Sequence, residues 1–225
     1  MNSETFSEKK YSDARWAEFS KPEDIRIKIA LRMIGENKKV LDIGAYNGKI
    51  SKKIKESGNE VWAVDATDAF AAEFSAAGID FTKANIEEML PYADNMFDVV
   101  FAGEVIEHLV NTDGFIREIK RVLKKEGFLV LTTPNTASLA RRTLLLLGRN
   151  PFFEASYTYP GDSAAGHLRY FTYDLLRDFL KSHGFNIVER TSEVVNFSGS
   201  VSSAFLAKLF PALGRSLIVK AVVNK

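Results

Sequence analysis

Lys39-Val40-Leu41-Asp42-Ile43-Gly44-Ala45-Tyr46-Asn47-Gly48 runs from an apolar stretch through one acid into a turn bracketed by glycines. Val40–Ile43 has the length of a buried strand, and residues 49–57 behind it carry helical spacing. A strand, a glycine turn and a helix in immediate succession form the opening unit of an α/β sheet. Glycine at 44 and 48 permits the tight turn and lets a ligand approach the backbone. The helix start beyond it offers free N–H groups to anionic atoms.

Outward from this unit the same alternation continues. Apolar runs at Glu60–Val64, Asp80–Lys83, Phe97–Ala102, Gly127–Thr132, Phe185–Thr191 and Ser216–Val223 read as strands. Helical patterns lie between them near 67–77, 113–124, 136–147 and 172–183, and two more precede the unit at 11–19 and 22–35. Gly58, Gly78 and Gly184 stand just before strands, where a helix-ending glycine is expected. The pattern predicts a doubly wound, mostly parallel seven-stranded sheet covered by helices on both faces. After Phe185 comes a short helical piece, Ser202–Phe210, then Pro211; this ending folds the last strand back antiparallel. Residues 1–36 read as an N-terminal helical lid, with Tyr11 and Trp16 as lid contacts, and 37–225 as one domain. Within it, the aperiodic, aromatic-rich stretch 149–171 reads as an inserted substrate loop.

Composition narrows the function classes. The 225 residues are 46% hydrophobic and 26% charged, ordinary for one globular α/β domain. A formal net charge of +1 gives no electrostatic reason to expect nucleic acid. The absence of cysteine excludes disulfides and thiolate metal ligands and fits a cytoplasmic protein. The polar N-terminus lacks a signal peptide's apolar core, and no run reaches the roughly 18–20 apolar residues of a membrane span. A peripheral membrane contact stays open.

The second strand leads to Asp65, where a carboxylate can accept hydrogen bonds from both hydroxyls of a ribose. The dinucleotide fingerprint is absent, because Tyr46 and Lys49 stand where it requires glycine. A nucleoside without a pyrophosphate therefore fits better, and an NAD-dependent oxidoreductase is disfavoured.

These segments resemble the class I S-adenosylmethionine-dependent methyltransferases, in particular the small type 11 family, over roughly residues 22–190. Val40-Leu41-Asp42-Ile43-Gly44 looks like the family's first motif. The resemblance implies that Asp42, Gly44, Ala45, Tyr46 and Gly48 contact the methionine part of the cofactor. Val64-Asp65-Ala66 resembles the second-strand motif, implying ribose contact by Asp65 and adenine packing by Ala66. Asn85 and Ile86 sit where the family has an acid near the adenine amino group, and the Asn85 carbonyl can accept that hydrogen bond. Phe97 to Leu109, with Gly103 facing the cofactor, is the most specific match. Arg121-Val122-Leu123-Lys124-Lys125-Glu126-Gly127 resembles the approach to the fifth strand, with Lys125 and Glu126 in place of Pro and Gly. Tyr46 replaces the central loop glycine, where its ring either crowds the cofactor or walls the pocket.

The implied reaction moves a methyl group to an oxygen or nitrogen of a small-molecule, sugar or lipid-linked acceptor. A non-catalytic, methyltransferase-like binding or scaffold protein is the alternative. Such transfer depends mainly on orientation; a hydroxyl acceptor also needs its proton removed, a task suited to histidine. His108 and His167 are the catalytic candidates, and Glu104, His108, His167, Arg169 and Tyr170 the substrate-side ones. Glu104, Glu107 and His108 would share one face of a helical turn, a pattern similar to the divalent-metal motif of certain O-methyltransferases. No metal is expected here, and that trio is the alternative. Gly166-His167-Leu168-Arg169-Tyr170-Phe171-Thr172 is similar to a segment that relatives place beside the acceptor, just before a helix capped by Thr172. His183, in the last turn of a helix, reads as structural. Residues 139–149 and 205–210 mix apolar side chains with Arg141, Arg142 and Arg149; core packing is the expected reading, and contact with lipid or a partner the other.

Overall fold

A computed structural model describes residues 21–151, 166–198 and 201–224. Tyr11, Trp16 and residues 152–165 of the expected substrate loop lie outside them. The chain opens with α1 (Lys21–Ile34), β1 (Lys39–Ile43), α2 (Lys49–Glu56), β2 (Glu60–Asp65), α3 (Ala71–Ala76) and β3 (Asp80–Lys83). It continues with β4 (Phe97–Gly103), a single tight turn at Ile106–His108, α4 (Thr112–Val122), β5 (Leu123–Pro134) and α5 (Leu139–Leu146). The last part holds α6 (Tyr173–Ser182), β6 (Phe185–Thr191), β7 (Val195–Ser198), β8 (Val201–Ser203), α7 (Ala204–Leu209) and β9 (Ser216–Val223).

Seven strands form one sheet in the order β3-β2-β1-β4-β5-β9-β6, and β7 and β8 form a separate hairpin. β1 is parallel to β2 on one side and to β4 on the other, so the loops that follow all three emerge at one edge. β9 enters antiparallel between β5 and β6, as the terminal pattern predicts. Successive residues of each strand point to opposite faces, and the core divides accordingly. Val40, Val99, Val130 and Ile218 pack with Ala30 and Met33 of α1, Ile54 of α2 and Phe74 of α3. Leu41, Val100, Leu129 and Val219 pack with Ile116 and Ile119 of α4 and Leu176 and Leu180 of α6. The sheet is thus buried on both sides, which is why its strands read as apolar runs rather than alternating ones.

Two boundaries move for a visible physical reason, and one hairpin is new. α3 starts at Ala71 rather than near 67, because Asp65 and Thr67 accept hydrogen bonds from the amides of Thr67 and Ala69 and hold that segment in a turn. β5 starts at Leu123 rather than Gly127; the strand first pairs Leu123 with Phe97, and the register then shifts before the pairing of Phe128 with Val99. The charged Lys124, Lys125 and Glu126 hide this first portion from an apolar pattern. The β7–β8 hairpin was not expected, since its strands span only four and three residues and are rich in serine.

Arg121, in the last turn of α4, ties the long 84–96 connection to the body. Its guanidinium donates to Glu118, to Asp94 and to the carbonyls of Leu90 and Tyr92, while Glu118 also accepts from the Leu90 amide. The fork geometry is what satisfies four partners at once. Arg121→Lys keeps the charge but loses the fork, and is expected to destabilise the fold by about 1–3 kcal/mol in urea unfolding.

Candidate functional site

The turn after β1 is shaped by contacts that admit only glycine. Gly44 has φ +73°, and a Cβ there would lie 2.4 Å from Val105 Cγ2, in the loop after β4. Gly48 has φ +71°, and its Cβ would lie 2.9 Å from the Phe74 ring. The amides of Gly44 and Ala45 donate to the Val64 carbonyl at 2.9 and 3.3 Å, which seats the turn against the end of β2. Tyr46 adopts φ +47°, the left-handed conformation that a glycine would take there. Its amide donates to Asp65 Oδ2 at 2.8 Å, and its ring meets Phe70 edge-on with centroids 5.1 Å apart.

Asp65 therefore holds two loops together: Oδ2 accepts from Tyr46 and Oδ1 from the Thr67 amide at 3.0 Å. An ionised carboxylate offers about four acceptor sites, so two remain for the hydroxyls of a ribose. Ala66 is exposed next to it. Asn85 Oδ1 accepts from the Glu87 amide at 3.1 Å and its Nδ2 donates to Glu88, so the side chain first of all shapes its own turn. Ile86 is half-buried against the core beside it, and a Cβ on Gly103 would meet the Phe101 ring at 2.6 Å. These residues fit a nucleoside bearing a free ribose, with a close backbone approach at Gly44.

Asp42 has a different place. It is 2% exposed and accepts a 2.5 Å hydrogen bond from Ser51 Oγ, bracing β1 against α2. Burial, reinforced by the Asp65 charge and opposed by the Ser51 hydrogen bond, pushes its pKa up to about 7.

At the ends of β4 and β5 lies a second cluster. Glu104 takes φ +57°, and only Ile106–His108 is helical, so Glu104, Glu107 and His108 do not share a helical face. Instead Glu104 Oε2 pairs with Arg26 Nη1 of α1 at 2.9 Å and its Oε1 accepts from Thr132 Oγ1 at 3.0 Å. Glu107 is 1% exposed; Oε2 accepts from Thr133 Oγ1 at 2.9 Å, while Oε1 has no hydrogen-bond partner among the described residues and lies 4.0 Å from His108 Nε2. Burial, and after it the Glu104 charge, raises the Glu107 pKa well above the carboxylate range.

The chain returns to this spot sixty residues later. The amides of Leu168 and Arg169 donate to the Glu107 carbonyl at 2.7 and 3.0 Å, and His108 Nδ1 lies 3.4 Å from the Gly166 carbonyl. The rings of His108 and His167 consequently meet with centroids 4.9 Å apart. Among the described residues the trio whose ligand atoms converge, all within 4.8 Å, is Glu107, His108 and His167, and not the alternative set of Glu104, Glu107 and His108. Arg169 Nη2 donates to the Val110 carbonyl at 2.7 Å, securing the same junction, and Tyr170 is exposed. His183 bridges α6 to α4, 2.9 Å from Asp113, and is structural as expected.

Arg26, Thr132 and Thr133 escaped the sequence, as did Glu193, buried beneath the cluster and accepting hydrogen bonds from Ser192 and Ser216. The one available signal was an arginine next to Ile25 on an otherwise apolar helix face.

Known proteins share this doubly wound sheet and parts of its sequence. Residues 41–131 match the family described as "Methyltransferase domain". The ubiquinone biosynthesis O-methyltransferase of Rickettsia prowazekii is 32% identical over 107 residues, covering 45% of this chain and 42% of that protein. The chain thus matches less than half the length of that curated relative. Among solved structures, the 1,6-didemethyltoxoflavin-N1-methyltransferase of Burkholderia thailandensis, with S-adenosylhomocysteine bound, is 17% identical at a TM-score of 0.65, covering 96% of this chain and 85% of that one. A putative methyltransferase of Haloferax volcanii, in complex with the Trm112 activator, reaches 0.68 at 15% identity and covers 96% of each chain. These likenesses establish the shared fold.

Because Asp42 keeps its proton up to about pH 7 when folded but loses it near 3.8 when unfolded, its share of stability is greatest below pH 4 and is lost as pH rises to about 7. Asp42→Asn, which still accepts from Ser51, is expected to be more stable than the parent at pH 8, by up to about 4 kcal/mol. That advantage shrinks toward pH 4, as paired urea titrations will read.

Proposed function

We propose that this chain is an S-adenosylmethionine-dependent methyltransferase acting on an oxygen of a small-molecule acceptor. The observation that carries this reading is the meeting of His108 and His167, from segments far apart in sequence, at the strand-end edge that also carries the Gly44–Gly48 turn. The family match of residues 41–131 and the relatives named O-methyltransferases support it.

When bound, S-adenosylmethionine supplies an electrophilic methyl group. Asp65 would hold the ribose, with Ala66, Asn85 and Ile86 around the base, and the Gly44–Gly48 turn would face the methionine end. His108 or His167 would take the acceptor's hydroxyl proton while the cofactor's S–CH3 bond breaks, the O–CH3 bond forms and S-adenosylhomocysteine leaves. Glu107, buried and close to His108, orients that ring, and Thr133 holds Glu107. Arg169 keeps the 166–171 segment docked on the loop after β4. α1 is anchored at this edge through the Arg26–Glu104 pair. No helix among the described residues is long and apolar enough to cross a membrane, and the cysteine-free composition fits a cytoplasmic location.

The test is methyl transfer to a panel of phenols, catechols, alcohols and amines. His108→Ala and His167→Ala are expected to lower kcat by about 10²–10⁴-fold while leaving S-adenosylhomocysteine affinity unchanged, and to remove the acidic limb of the pH–rate profile. Labelling of amines alone, or histidine variants that retain full kcat, contradicts oxygen transfer by a histidine base.

A further inference from the structure

Apolar side chains that belong in a core instead face outward at the end of β5 that also carries the candidate site. α5 is intermediate or exposed along its whole length, and Leu145, Leu146 and Leu147 are 58%, 88% and 65% exposed. Next to it in space stands β7 of the β7–β8 hairpin, and α7 packs against that same strand. There Phe205 is 70% exposed, and Leu209 and Phe210 more than half. Core packing does not account for these segments. α7 buries Ala207 alone, while its Phe205 and Leu209 point away from the protein.

Charge indicates what covers this face. Between Glu126 and Glu154, and again after Glu193, the chain has no acidic residue. The same two stretches place Arg142, Arg149, Lys208 and Arg215 exposed around the leucines and phenylalanines. In a protein of formal net charge +1 this is a strong segregation. An apolar surface whose own segments carry exposed cations and no carboxylates is complementary to an anionic bilayer surface: the apolar side chains enter the acyl boundary and the cations pair with headgroup phosphates.

We infer that the face formed by α5, the β7–β8 hairpin and α7 docks the protein on an anionic membrane surface. α5 departs just after Asn135 and Thr136, and Thr136 itself holds the Phe171 carbonyl at 2.8 Å. The docked bilayer therefore lies beside the 166–171 segment that carries His167. The inference does not depend on the methyl-transfer reading.

Co-sedimentation with vesicles tests it. The full chain is expected to pellet with phosphatidylcholine vesicles containing about 30% phosphatidylglycerol, to stay in solution with phosphatidylcholine alone, and to be released by high salt. Lys208→Ala and Arg149→Ala should each weaken binding by about fivefold. Leu146→Asp and Phe205→Asp should abolish it, with near-UV circular dichroism unchanged. Absence of binding to the anionic vesicles, or equal binding to both kinds, overturns the inference. So does concentration-dependent dimerisation in sedimentation velocity that Leu146→Asp removes, which would assign the face to a second copy of the chain.

Discussion

The contact between the turn after β1 and the loop after β4 leaves no space for a single methyl group: a Cβ on Gly44 would stand 2.4 Å from Val105. Everything at this edge of the sheet follows from that closeness. With Gly44 in the left-handed conformation, the chain turns so that the next amides reach Val64 and Asp65. With Val105 pressed beneath it, the loop after β4 is lifted, and Glu104 is driven to φ +57°. That conformation costs an ordinary residue about 1–2 kcal/mol. Such strain is found where surrounding contacts over-determine it, and Arg26 and Thr132 supply them.

The acids at this edge divide by environment. Asp65, at the mouth of the turn, is hydrogen-bonded by two amides and has acceptor capacity to spare. Asp42 and Glu107 are buried, and both have raised pKa values. Similar carboxylates thus perform different tasks: one joins two loops by accepting from their amides, one braces a helix on a strand, and one sits half-satisfied beside a histidine. Sequence position alone does not distinguish Asp42 from Asp65, since each ends an apolar strand. Burial does, because a carboxylate sealed beneath α2 exchanges its charge for a proton or a hydrogen bond.

The strands were legible because a sheet covered on both faces imposes continuous apolar runs, and the β1 turn because glycine at left-handed positions leaves a residue-type signature. The convergence of His108 and His167 was legible only as two separate candidates. The hydrogen bonds that join them run from the amides of Leu168 and Arg169 to the Glu107 carbonyl, and backbone groups carry no side-chain code. The contiguous Glu104, Glu107 and His108 spacing misled because helical periodicity was assumed where a left-handed residue interrupts it. Arg26 was invisible for a related reason: the acids facing it come from the loop after β4 and from the connection between β6 and β7, and only tertiary packing brings them together. The exposed leucines of α5 run against binary patterning altogether, and residues that break a local rule without a packing reason point to a surface selected for contact.

The proposed cofactor site stands or falls with Asp65 and the Gly44–Gly48 turn. Titration calorimetry with S-adenosylhomocysteine is the direct test. A single saturable site is expected in the parent protein, lost in Asp65→Ala although that variant remains folded. Undiminished binding by Asp65→Ala, or no heat from the parent protein, would contradict it.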